Sequence, residues 1–431
     1  MPTRFDPAGP LRGSLRPPAD KSVSHRAALI AAMGEGTTTV EGYLDAADTR
    51  STLAAVQALG ARVETADGLG SRLRIQGMGL RGAGSAEIDV GNAGTLLRLL
   101  PGWLAGQEGG KWTLDGDDSI RRRPVDRIAD PLRQMGARLA AREERLPPLQ
   151  VTGAALHGFT YEMPIASAQV KSCLLFAGLL ADSETAVVES HPSRDHTERM
   201  LAAAGAELHS VDGTVTIQPA QRLEPAAIVV PADISSAAFF LVAATLLGGS
   251  EVVLESVGVN PTRTGILTIL GRMGADIEVE PRGETGGEPI ADLRVRPAEL
   301  RGTEVGGAEI PLAIDELPLV ALAACFAEGT TTIRDAAELR RKESDRVETV
   351  CTALNALGGE VEPTADGMVV TGSGGLRGGT IASHGDHRIA MLGAVAGLAS
   401  REGVAVEGMD AAAVSYPGFE RDLGSLLRGG S

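Results

Sequence analysis

The stretch "GEGTTTVEGYLDAADTRSTLAAVQALGARVE", residues 34–64, holds the unit from which the chain is built. A turn leads into a short β-rich run, a helix opens near Asp48, Gly60 closes it, and a second strand follows. The close of that helix returns as "MGARLA" at 135, "AGAEL" at 204, "MGADIEV" at 273 and "LGGEVE" at 357. Gly60, Gly136, Gly205, Gly274 and Gly358 are therefore spaced by 76, 69, 69 and 84 residues. The strand ahead of it occurs six times in all, as "GTTTVEG", "GGKWTLDG", "SETAVVES", "GSEVVLES", "GTTTIRDA" and "EGVAVEG". Such self-similarity predicts βαβαββ-type modules of roughly 70 residues, six in all. Six modules divide into two domains of three.

The sixth module is truncated, so "GPLRGSLRP" near the N-terminus is expected to supply its missing strand. This predicts one domain over residues 21–230 and a second over 1–20 with 231–431, crossing at Pro-flanked sites.

Each module also opens with a helix, and the first of these is odd. In "PPADKSVSHRAALIAAMG", residues 17–34, the opening turn holds Lys21, Ser22, Ser24, His25 and Arg26. Helix N-termini are already positive and favour acids. Extra cations there make sense if something negative belongs beside them. The other helix starts are "GNAGTLLR" at 91, "ASAQVKS" at 166, "ADISSAA" at 232, "AIDELPL" at 313 and "HGDHRIA" at 384. Capping explains their Asn, Ser and Asp, but not Lys21, Arg26, Gln169 and Arg388 within a turn. If the modules pack about pseudo-threefold axes, the starts converge on a cleft that binds a polyanion.

Bulk composition narrows the partners. A net charge of −16 and only 3% aromatic residues disfavour nucleic acid and anionic membranes. The longest apolar stretch, "AAFFLVAATLLGG" (237–249), is too short to span a bilayer, and "MPTRFDPAGPLRGSL" lacks the apolar core of a signal peptide. Cys173, Cys325 and Cys351 read as buried free thiols in a reducing cytoplasm, so a cytoplasmic location is expected. The nearest approach to a metal site, "HGDH" at 384–387, lacks further ligands, so no metal is expected.

The motifs "DKSVSHR", "GNAGTLLRLL", "RRRPVD", "SAQVKS", "RDHTE", "NPTR", "LRRKESDR", "GDHRIAM" and "SYPGF" occur in the order seen in the enolpyruvyl transferases. The chain resembles that family over nearly its whole length, in the branch that serves the shikimate pathway. "SAQVK", "RDHTE" and "NPTR" are similar to its class II members. The resemblance implies an α/β fold: a two-domain inside-out α/β barrel of six repeats, three per domain, with the active site in the interdomain cleft. It implies transfer of the enolpyruvyl group of phosphoenolpyruvate to the 5-hydroxyl of 3-phosphoshikimate, without metal or organic cofactor, by a protein expected to be monomeric.

Carried over by motif, the resemblance assigns 3-phosphoshikimate to Lys21, Ser22, Arg26, Ser167, Ala168, Gln169, Arg194, Asp315 and Lys342. Phosphoenolpyruvate falls to Lys21, Asn92, Gly94, Thr95, Arg123, Gln169, Glu343, Arg346 and Arg388. Arginine suits two polyanions because its planar fork binds carboxylate and phosphate bidentately. Asp315 and Glu343 are implied as the carboxylates that move protons, with Lys21 also catalytic. From the residues alone, Asp315 reads equally well as a helix cap, and "LRRKESDR" as a solvated charge run. Val414 stands where many members carry Lys, and Gly94 where some glyphosate-tolerant members carry Ala.

Three rivals share the scaffold. The sister enzyme acting on UDP-N-acetylglucosamine typically has Lys-Asn where this chain has Lys21-Ser22, and a loop Cys absent from "DGDDSIRRRPVD". A non-catalytic anion-binding protein would have lost the paired carboxylates. An RNA 3′-phosphate cyclase relative is opposed by the acidic charge.

Overall fold

Side-chain caps decide where four of the deeply buried helices begin. Asp20 accepts from the Val23 N–H at 2.9 Å and starts Lys21–Met33; Ser167 starts Ala168–Gly178 in the same way. Asp233 and Asp386 accept from the N–H groups of Ser235 and Arg388 and start Ile234–Leu246 and His387–Ala399. The remaining two openers, Gly94–Ala105 and Leu317–Cys325, have no side-chain cap. These six helices are buried nearly all round, as their continuous apolar character requires.

The computed structural model describes residues 1–65 and 72–429. In the first five modules the second helix lies outside the first and ends on glycine. Gly60, Gly136, Gly205, Gly274 and Gly358 all adopt positive φ, between 89° and 120°. A Cβ is strained in that conformation, which is why the repeat is marked by glycine.

Among the described residues six sheets accompany the helices, and five share one plan. A strand pairs parallel with the next, which pairs antiparallel with one strand of a hairpin. In one such sheet Ala86–Asp89 runs parallel to Lys111–Asp115, which meets the hairpin of Arg138–Arg142 and Leu146–Thr152. Because the parallel partner comes from the preceding module, the modules interlock in a circle. Ile228–Val229 closes the circle by pairing parallel with Thr37–Glu41.

The N-terminal segment differs from expectation. The strand within "GPLRGSLRP", Arg12–Leu15, pairs parallel with Glu251–Gly258 of the fourth module and does not complete the sixth. That sheet receives the preceding strand, Thr3–Phe5, which pairs antiparallel with Val404–Glu407. Arg12–Leu15 thus does for its circle what Ile228–Val229 does for the other.

Two compact units result. One contains Ala19–Pro231 with Glu284–Glu288, the other Met1–Pro18, Ala232–Gly283 and Pro289–Ser431. The first is called here the N-terminal unit and the second the C-terminal unit. Each has its own apolar core. In the C-terminal unit Tyr416 and Phe419 of the "SYPGF" motif pack edge-on, with Phe239 and Phe240 against Phe419. The Tyr416 hydroxyl donates to Asp422 at 3.0 Å. The motif therefore closes a core, with burial pushing the Tyr416 pKa up. Cys173, Cys325 and Cys351 are buried free thiols.

Candidate functional site

In the N-terminal unit the opening turn of Lys21–Met33 places its side chains in different settings. Lys21 Nζ lies 3.0 Å from Asp48 Oδ2, at the start of the helix Ala47–Leu59. Arg26, only 2% exposed, points into a layer of hydroxyls. Its Nε donates to Thr197 at 2.7 Å, Nη2 to Ser172 at 2.9 Å and Nη1 to the Ser22 carbonyl at 2.9 Å. Burial lowers its pKa to about 10, Glu198 opposing and Arg194 adding to the shift. His25 between them is fully buried, with Nδ1 2.6 Å from Thr52 Oγ1. Burial holds its pKa down near about 3, so the ring is neutral at pH 7.

A second group in this unit joins the helices Gly94–Ala105 and Ala168–Gly178. Gln169 donates to Thr95 Oγ1 at 3.2 Å and accepts from Arg98 at 3.1 Å. Asn92 accepts from Arg123 Nη2 at 2.9 Å and donates to Asp117 at 2.7 Å. A Cβ on Gly94 would stand 2.6 Å from Arg123 Nη1, so the bare glycine leaves room for that guanidinium. Ser167 caps the Ala168 helix, and Ala168, Ser22 and Arg194 are half-buried.

In the C-terminal unit the expected residues gather around a single arginine. Arg346 is 1% exposed and is held by three carboxylates. Its Nε meets Asp386 at 2.8 Å, Nη2 meets Glu343 at 2.6 Å, and Nη1 meets Asp315 at 3.3 Å. Burial alone would weaken its charge, but Asp386, Glu343 and Asp315 outweigh burial and raise the pKa. Asp386, fully buried, is correspondingly held low: burial opposes ionisation, and Arg346 and His387 override it.

Asp315 does not cap Leu317–Cys325, whose N-cap residue is Glu316. Its carboxylate instead faces Lys342 Nζ at 3.3 Å, Arg346 and, at 3.9 Å, Arg388 Nη2. Arg388 donates to the Asp315 carbonyl at 2.9 Å and lies 3.6 Å from the buried Glu316 carboxylate. Asp315, Lys342, Glu343, Arg346 and Arg388 are thus one cluster.

Sequence reading missed several partners. Asp48 read only as a helix opener, and Asp386 only as part of "GDHRIAM". The one usable signal was Arg98, a lone cation inside the apolar run "TLLRLL". Among the described residues no group of three or more His, Cys, Asp or Glu side chains is arranged to hold a metal.

Interlocked α/β modules whose helix starts carry lysine, arginine and hydroxyls are fitted to phosphorylated anions. The family model described as EPSP synthase (3-phosphoshikimate 1-carboxyvinyltransferase) matches residues 5–423, and the chain belongs to that family. A 3-phosphoshikimate 1-carboxyvinyltransferase of Synechococcus sp. (strain RCC307) is 49% identical over 428 residues, 97% of this chain and 98% of that protein. One from Geobacter sulfurreducens is 49% identical over 416 residues, 96% of each. The solved EPSP synthase of Acinetobacter baumannii is 42% identical, covers 98% of this chain and 97% of its own, and superposes with a TM-score of 0.87.

Proposed function

We propose that the protein is the transferase that moves the enolpyruvyl group of phosphoenolpyruvate to the 5-hydroxyl of 3-phosphoshikimate, releasing phosphate in the shikimate pathway. Family membership over the full chain supports the reaction. The observation that carries the catalytic reading is the pair Asp315 and Glu343 held on the buried Arg346. A protein that only bound anions would have no use for two carboxylates among its cations.

The enol phosphate needs a proton at its methylene carbon while the attacking hydroxyl loses one. The hydroxyl oxygen adds to C2 and gives a tetrahedral ketal. Loss of a proton from the new methyl group then expels phosphate. Asp315 is proposed to receive the hydroxyl proton and Glu343 to serve the carbon, with Lys21 assisting. Lys342, Arg346 and Arg388 in the C-terminal unit, and Lys21, Asn92, Gly94, Thr95, Arg123 and Gln169 in the N-terminal unit, are proposed to hold the two anions. Ser22, Arg26, Ser167, Ala168 and Arg194 are proposed for 3-phosphoshikimate. The finer architecture stays within this proposal: an inside-out barrel of two three-module domains, acting from their cleft as a cytoplasmic monomer.

Phosphate release decides the matter. With phosphoenolpyruvate present, release is expected with 3-phosphoshikimate and none with UDP-N-acetylglucosamine. Release only with the nucleotide sugar overturns the substrate assignment. Binding of 3-phosphoshikimate without release favours a non-catalytic protein.

A further inference from the structure

The helix Ala168–Gly178 carries a charged group that the proposed reaction leaves unused. Lys171 is 1% exposed. Its Nζ lies 2.6 Å from Glu189 Oε2, 2.6 Å from Glu198 Oε1 and 3.3 Å from the Ser193 carbonyl oxygen. Ser193 Oγ in turn donates to Glu189. Burial opposes the ammonium charge, but Glu198 and Glu189 outweigh it and raise the Lys171 pKa. Glu198 is itself held above the usual carboxylate range by burial, against the pull of Lys171.

Three segments meet at this nitrogen: the helix that begins at Ala168, the stretch after the strand Thr185–Val188, and the first turn of the helix His196–Ala203. The Ser193 carbonyl belongs to the peptide bond that leads into Arg194. Fixing that carbonyl fixes the plane from which the Arg194 side chain departs. The layer continues into Arg26, since Ser172 and Thr197, neighbours in sequence of Lys171 and Glu198, take its Nη2 and Nε. Ser172 also donates to the Ala168 carbonyl at 2.6 Å. Buried ions cost more to desolvate than an apolar filling of the same shape. Cohesion alone therefore does not account for a lysine here.

We propose that Lys171 is a positioning residue: through the Ser193 carbonyl and Glu198 it sets Arg194 toward the phosphate group of 3-phosphoshikimate. This rests on the assignment of Arg194 to that substrate made above. Lys171 touches no substrate in this scheme. It acts through the geometry of Arg194, where a misplacement of about 1 Å costs up to about 100-fold.

The test separates phosphate recognition from general cohesion by comparing 3-phosphoshikimate with shikimate, which lacks the phosphate. Calorimetric binding is measured for the wild type, for Lys171→Met/Glu198→Gln, which leaves the net charge of the cluster unchanged, and for Lys171→Arg. Arginine cannot place the same ammonium contacts on two carboxylates and a carbonyl. The double variant is expected to weaken 3-phosphoshikimate binding roughly 10- to 100-fold with shikimate binding unchanged. Lys171→Arg shifts the same ratio in the same direction by less. An unchanged ratio in either variant that still melts cooperatively overturns the proposal, as does equal weakening of both ligands. If the wild type shows no preference for the phosphorylated ligand, the assignment of the phosphate site fails instead.

Discussion

Arg26 and Arg346 are both buried arginines near helix starts, yet their surroundings are opposite. Arg26 is met by two hydroxyls and a carbonyl, and burial lowers its pKa to about 10. Arg346 is met by three carboxylates, and its pKa is raised. Hydroxyls orient a guanidinium without cancelling its charge, so Arg26 leaves its unit with positive potential to offer an anion. Carboxylates cancel the charge and are themselves oriented by it. Arg346 is thus the frame on which Asp315 and Glu343 are mounted. The same residue type serves binding in one place and proton chemistry in the other.

The sharpest way to break this comparison is to remove each guanidinium in turn. Arg346→Met leaves three buried or half-buried carboxylates facing one another, and a loss of about 3–5 kcal/mol of stability is expected. Arg26→Met leaves hydroxyls that can partner each other, and should cost about 1–3 kcal/mol. Urea unfolding of the two variants measures both. Equal losses would mean that the contrast in partners has no energetic content.

A smaller effect tests what the Arg346 frame holds. Glu343→Gln keeps the shape and removes the charge. Turnover is expected to fall by about 100- to 10,000-fold while 3-phosphoshikimate affinity changes little. Steady-state rates beside equilibrium binding give the answer, and a parallel loss of both would remove Glu343 from the chemistry.

A pH-dependent effect concerns His25, beside Arg26. Its folded pKa of about 3 lies below the usual histidine value of 6.5. As pH falls below about 6.5 the unfolded chain takes up a proton that the folded chain refuses, so stability declines down to about pH 3. The slope reaches at most about 1.4 kcal/mol per pH unit. His25→Asn should therefore lose less melting temperature than the wild type between pH 7 and pH 4.5. Identical losses would show that other groups govern the acid limb.

These contrasts explain what could be read in advance. The modules were legible because their helices end on glycine at Gly60, Gly136, Gly205, Gly274 and Gly358, a local requirement of backbone conformation. The helix starts were legible through Asp20, Ser167, Asp233 and Asp386, which cap within a few residues. Strand exchange was not, because pairing of Arg12–Leu15 with Glu251–Gly258 is set by tertiary closure and leaves no local mark. The grouping of Glu284–Glu288 with Ala19–Pro231 was hidden for the same reason. In the candidate site, motif order pointed to Lys342, Glu343 and Arg346 together, while Lys171 and Asp386 gained meaning only from their partners. A sequence shows which cations exist, and only folding shows what each one faces.

The pairing of Thr3–Phe5 with Val404–Glu407 sets a clock on synthesis. The two strands are about 400 residues apart, so a ribosome adding 5–20 residues per second separates their emergence by about 20–80 s. Through that interval the first strand waits as an unpaired edge. It spans only three residues and carries Arg4 at its centre, which makes it a poor template for stray pairing. The C-terminal unit begins and ends its own assembly with a long wait, whereas most of the N-terminal unit can settle as it emerges.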